Sequence, residues 1–161
     1  MRSRSSRSRA AIVLALACVA LVGAVLAGCG SDSGSKNDYV DRMNQVQSRF
    51  ATTFESLAGQ ITATSTPDAD RRTLEAARQS LDQTVAQLRK VHPPQQVAKL
   101  HDQLASEVEA YGNALTAAAD ALGSSDADVR AKATANLSEA TSRTSADVNQ
   151  TITAINRKLH E

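Results

Sequence analysis

The chain has 161 residues, with 18 Lys and Arg against 17 Asp and Glu, and Tyr39, Phe50, Phe54 and Tyr111 as its whole aromatic set. Four of the arginines lie ahead of residue 10 and no acid does, so residues 29–161 carry 14 cations against 17 anions, a net charge of −3. A weakly acidic surface with so few rings argues against nucleic acid as a partner, because that binding relies on cations at phosphates and on aromatic stacking.

Arg2, Arg4, Arg7 and Arg9 alternate with serines, and residues 10–27 form an apolar and glycine run without a charge. This order is that of a secretory signal peptide. The run is also near the ~20 residues of a membrane-spanning helix, so an uncleaved anchor stays open as the alternative. The run ends in Leu26-Ala27-Gly28-Cys29. These four residues resemble the bacterial lipobox, an aliphatic residue and two small residues before a cysteine. The resemblance implies diacylglycerol on the Cys29 thiol, cleavage between Gly28 and Cys29, and acylation of the new amino terminus. It also implies attachment to the cell membrane through that lipid, on the extracytoplasmic face. Two acyl chains hold a protein stably where one holds it marginally. Cys18 follows Ala15-Leu16-Ala17, which leaves a short apolar run and puts an alanine at the aliphatic position, so it reads as part of the discarded peptide.

Removal of residues 1–28 leaves 133, the size of one domain. Cys29 is the only cysteine in that part, so the domain folds without a disulfide. Residues 29–37 read as the lipidated cysteine and a Gly/Ser tether that reaches about 28 Å when extended.

From residue 38 onward the apolar spacing becomes helical, and residues 38–161 read as a helical bundle. Val40, Met43, Val46, Phe50, Phe54, Leu57 and Ile61 recur at steps of three and four, giving a first helix over about 38–62. Gly59 and the threonines after it weaken the pattern. Thr66-Pro67-Asp68 restarts it, with Thr66 as N-cap, Pro67 in the first turn and Asp68 and Asp70 at the positive end. The second helix, 67–91, lines up Leu74, Ala77, Leu81, Val85, Leu88 and Val91, and His92-Pro93-Pro94 stops it.

A third helix over 94–122 carries Val97, Leu100, Leu104, Val108, Tyr111, Leu115, Ala118 and Leu122 at near-heptad spacing. Gly112 inside it permits either a close approach or a bend. Gly123 fits a C′ position, and Ser125 with Asp128 resembles a capping box. The fourth helix, 126–160, presents Val129, Ala133, Leu137, Ala140, Thr144, Val148, Ile152, Ile155 and Leu159, with cations in its last turn. The expected fold is therefore all-α, an up-down-up-down four-helix bundle preceded by a signal peptide helix and a flexible tether. Its many alanines and valines predict a thin core with little room for a buried ligand.

No reaction is written in these residues. A di-iron bundle needs inward Glu-x-x-His pairs, and no glutamate here has a histidine three residues on. The histidines are His92, His101 and His160. His101-Asp102 with Glu107 or Glu109 is a weak zinc set, and His101 reads better as a rim residue, His92 as a turn residue. Glu107 and Glu109 read as solvated charge. There is no Gly-x-Ser-x-Gly elbow, so no catalytic residue, metal or cofactor is assigned.

The run His92-Pro93-Pro94-Gln95-Gln96-Val97-Ala98-Lys99-Leu100-His101-Asp102-Gln103-Leu104 resembles small alanine-rich helical lipoproteins of high-GC Gram-positive bacteria. That resemblance implies a fold and a location and leaves the activity blank. The expectation is a membrane-anchored envelope lipoprotein that is not an enzyme, a binding or structural module for another envelope protein. The alternative is a bundle that captures a small ligand or a metal. Oligomeric state is not legible.

Overall fold

The computed structural model describes residues 33–62 and 64–161. The signal segment, Gly28, Cys29 and the first part of the tether lie outside the described residues. Four helices follow one another: α1, Ser33–Ala58; α2, Pro67–Leu88; α3, Ala98–Leu122; and α4, Ala127–His160, with a short 3-10 turn over Gln95–Val97 ahead of α3. The turns between them are short, so neighbours run antiparallel and the architecture is the up-down-up-down four-helix bundle.

The boundaries differ from expectation where tertiary bonds override local preference. Residues 33–37, expected in the tether, form the first turn of α1. Their glycine and serines are poor helix formers. Two partners hold them: Lys36 Nζ donates to the Leu159 carbonyl at 3.0 Å, and Tyr39 is buried. At the other end α1 stops at Ala58 rather than residue 62, and the Gly59 and Gln60 amides close the last turn. Ile61 still reaches the core at 1 % exposure, as a plug carried by the loop instead of a position on the helix.

α2 begins as expected: Pro67 opens it, and the Thr66 hydroxyl accepts from the Ala69 amide at 3.2 Å. Asp70 does more than complement the dipole, because it is buried and its carboxylate lies 2.5 Å from the Ser65 hydroxyl. The helix ends at Leu88, three residues early, and Val91 folds back into the core through its amide bond to the Leu88 carbonyl at 2.9 Å. α3 starts at Ala98 rather than 94, because Pro94 opens a 3-10 turn whose Val97 amide bonds the Pro94 carbonyl.

Two expected caps take another form. Gly123 ends α3 with right-handed helical φ and ψ, so its conformational freedom is not used. Asp126, not Ser125, is the N-cap of α4, its carboxylate accepting from the Asp128 and Val129 amides. An aspartate reaches both orphan amides at once, which the serine one residue earlier cannot do.

The core has two contiguous parts. One, around Phe50, Phe54, Ile61, Leu74, Leu115 and Leu137, fills the end nearest the α1–α2 loop. The other, around Tyr39, Val91, Val97, Leu104, Val148 and Leu159, fills the end where α1 begins and α4 finishes. α3 packs along both α2 and α4 at close backbone range, whereas α1 approaches only α2 closely and stands off from α4. Bulky side chains on α1, Tyr39, Met43 and Phe50, bridge the wider gap. Alanine-rich seams elsewhere let the backbones come together.

Gly112 is buried on α3 directly under Arg78 of α2, and a Cβ there would collide with the guanidinium. The helix is continuous through Gly112, and the space its missing side chain leaves is filled by the guanidinium of an arginine paired with Asp82 at 2.5 Å.

Val129, expected on the inner face of α4, is exposed. The buried stripe is instead Thr134, Leu137, Thr141, Val148, Thr151, Ile155 and Leu159. Three threonines thus occupy core positions. Each satisfies its hydroxyl: Thr134 donates to the Arg130 carbonyl, Thr141 to the Leu137 carbonyl, and Thr151 to Glu107.

Candidate functional site

The polar groups that matter lie inside the second core part. His101, expected at the rim, is 2 % exposed. It sits in the first turn of α3, and its ring reaches two other helices. Nε2 is 2.9 Å from the carbonyl of Leu88, at the C-terminal end of α2, and Nδ1 is 3.2 Å from the hydroxyl of Tyr39 on α1. The carbonyl can only accept, so Nε2 carries the proton and donates. A neutral ring then leaves Nδ1 as acceptor, and Tyr39 Oη–H donates to it. The two rings also meet edge to face, 5.6 Å between centroids. One imidazole therefore ties α1, α2 and α3 together and gives a second donor to a helix-end carbonyl that the Val91 amide also bonds.

Burial pushes the Tyr39 phenol up from 10.0 to about 12. The unfolded chain loses this proton first, so above the ordinary value the unfolded state binds fewer protons and stability falls as pH rises. Below that value the contribution is complete. The expected loss is about 3 kcal/mol between roughly pH 10 and 12, at ~1.4 kcal/mol for each pH unit in which only the unfolded chain has given up the proton. Urea unfolding of wild type and Tyr39→Phe across that range checks it: the difference between the two should shrink or change sign as pH rises, and parallel profiles would refute it.

The other candidate donors are not brought together. His92 is an exposed turn residue, as expected, and His160 is exposed. Asp102 faces solvent, and Glu109 pairs with Arg89 of α2 at 2.8 Å. Glu107, expected to be solvated, is half-buried: its Oε1 accepts from Gln103 at 2.7 Å and from Thr151 of α4 at 2.9 Å. Among the described residues no three His, Cys, Asp or Glu side chains cluster as a metal site. The exposed pairs Arg71–Glu75 and Arg143–Glu139 are helix-surface pairs worth about 0.5 kcal/mol or less each.

Beside the Tyr39–His101 link the bundle keeps a mostly apolar slot of about 90 Å³. All four helices line it. Met43, Val46 and Phe50 form its α1 wall, Leu104 and Val108 its floor on α3, and Val148 and Ile152 its α4 wall. No lining residue is charged. The slot exists because α1 stands off from α4, and it reaches the seam between them, where exposed Asn44 and half-buried Asn156 contribute to the lining.

Cys29 and Gly28, the lipidation and cleavage residues expected from the sequence, lie outside the described residues. Among the described residues, no helix is long and apolar enough to cross a membrane. Comparison with protein-family models, with curated proteins and with solved structures finds no match for this chain.

Proposed function

We propose that the chain is a lipid-anchored envelope protein whose helical bundle is a non-catalytic binding or structural module. One observation carries this reading: Leu26-Ala27-Gly28-Cys29 closes a charge-free run behind four arginines and stands just ahead of the bundle that begins at Ser33. The cysteine is thereby close to the domain it would anchor, and the bundle needs no membrane-spanning helix of its own to stay at a surface. Its internal polar groups, Tyr39 with His101 and Glu107 with Thr151, are bonded across helices, which is the pattern of packing links between elements. Its partner would be another envelope protein or an envelope lipid.

Lipidation is tested by expressing full-length wild type and Cys29→Ala in a bacterial host. Wild type is expected in the membrane fraction, with a mass that lacks residues 1–28 and carries diacylglycerol on Cys29. The variant should keep residues 1–28. A wild-type chain with those residues attached and a bare thiol would remove the anchor from the proposal. Metal capture, the alternative expected from the histidines, gains nothing from His101, since both of its ring nitrogens already have partners. The apolar slot gives the small-ligand alternative its support.

A further inference from the structure

The charges of the bundle are sorted by end. Where α1 begins, α2 runs into α3 and α4 finishes, residues 33–40, 89–102 and 156–161 carry six cations, Lys36, Arg89, Lys90, Lys99, Arg157 and Lys158, against three acids, Asp38, Asp102 and Glu161. The rest of residues 33–161 carries 8 cations against 13 acids. This end is one continuous surface, because Lys36 bonds the Leu159 carbonyl and Gln96 the Lys158 carbonyl, which fastens α1 and the α2–α3 connection to the last turn of α4. Arg89 is engaged by Glu109 and Lys158 by Glu161. Lys90, Lys99 and Arg157 are exposed and make no ion pair among the described residues. An anionic plane is therefore met favourably by this end and repelled by the acidic remainder.

We propose that this end is a docking face for the head groups of anionic phospholipids, which holds the bundle upright on the bilayer. The inference rests on the lipid-anchored reading for its proximity to the membrane: Cys29 stands four residues ahead of Ser33, a span of about 14 Å at most, and α1 begins at this end. So short a tether keeps the head groups at high effective concentration, and a small excess of cations then suffices where a free protein would need a larger one. The contact is electrostatic and superficial. Tyr39, Val91, Val97 and Leu159, the large apolar side chains of this end that could enter the bilayer, are buried, and Val129, the exposed large apolar side chain among the described residues, lies at the opposite end.

The test uses the full chain purified from membranes and reconstituted in vesicles, one set of phosphatidylcholine alone and one with an equal part of phosphatidylglycerol. Flotation of the vesicles reads the anchor, and brief acetylation followed by mass spectrometry reads which lysines the bilayer covers. Lys132, exposed near the start of α4 at the opposite end, is the internal control. The expected result is flotation with both sets, with Lys90, Lys99 and Lys158 acetylated about tenfold more slowly on the anionic vesicles and Lys132 unchanged. That protection should vanish at about 1 M salt, where the screening length is about 3 Å. In Lys90→Gln/Lys99→Gln, Lys158 should return to within about twofold of its rate on phosphatidylcholine. Arg157→Gln repeats the test should the double variant lose its helical circular dichroism. Flotation with both sets but equal acetylation on each would overturn the docking face and leave the anchor standing. Flotation with the anionic vesicles alone, with the same lysines protected, would remove the anchor and support the face. Protection that extends to Lys132 would mark general adsorption and overturn the inference, and flotation with neither set would overturn both readings.

Discussion

Replacing His101 with alanine is expected to lower the unfolding free energy by about 3 to 4 kcal/mol, combining a truncated buried ring with a stranded hydrogen-bond donor. The stranded group is Tyr39 Oη–H, which loses its acceptor inside an apolar layer. The Leu88 carbonyl suffers less, because the Val91 amide still bonds it at 2.9 Å. Tyr39→Phe should cost about 1 to 2 kcal/mol, since it removes a hydroxyl but keeps the ring against the imidazole. The double variant should cost less than the sum, by about 1 kcal/mol, because each single change already breaks the shared bond. Urea unfolding of the four chains measures the cycle. A His101→Ala loss below about 1 kcal/mol would mean that the link does not hold the helices.

Leu115→Ala is the second large effect, at about 3 to 5 kcal/mol. Leu115 is at 0 % exposure in the core part that contains Phe54, Leu74 and Leu137. Those neighbours lie on three other helices, so no single side chain can swing in to fill the void. Against a typical domain stability of about 5 to 15 kcal/mol, either substitution moves the thermal midpoint by many degrees. Circular dichroism melting reads both. A Leu115→Ala midpoint within about 2 °C of wild type would show that the core relaxes around the gap.

The helical architecture was legible because apolar residues at steps of three and four leave little else, and Thr66-Pro67 and His92-Pro93-Pro94 punctuate it with side-chain chemistry that acts locally. The candidate site was less legible. His101 looks like a rim residue when its neighbours are only Leu100 and Asp102; what buries it is Tyr39, 62 positions earlier. A signal was present in the 4, 3, 4 spacing of Tyr39, Met43, Val46 and Phe50, which places the tyrosine on the inner stripe in preference to Val40. The threonines of α4 were missed for a different reason. A hydroxyl that bonds back to the carbonyl four residues earlier behaves as a small apolar group, so Thr134 and Thr141 pack like valine without the sequence showing it. The slot could not be read at all, since it depends on how far α1 stands from α4.

The bond from Lys36 to the Leu159 carbonyl, with Gln96 holding the Lys158 carbonyl at 2.9 Å, closes the bundle at the end where α1 begins. Any tension arriving through the residues ahead of Ser33 is therefore applied at this corner. It would peel α1 from its own first turn, stressing the lysine and then Tyr39, instead of shearing the whole helix at once. Peeling breaks bonds in succession and yields at low force, so a pull from that end would part the α1–α4 seam before it unravels the three helices behind it.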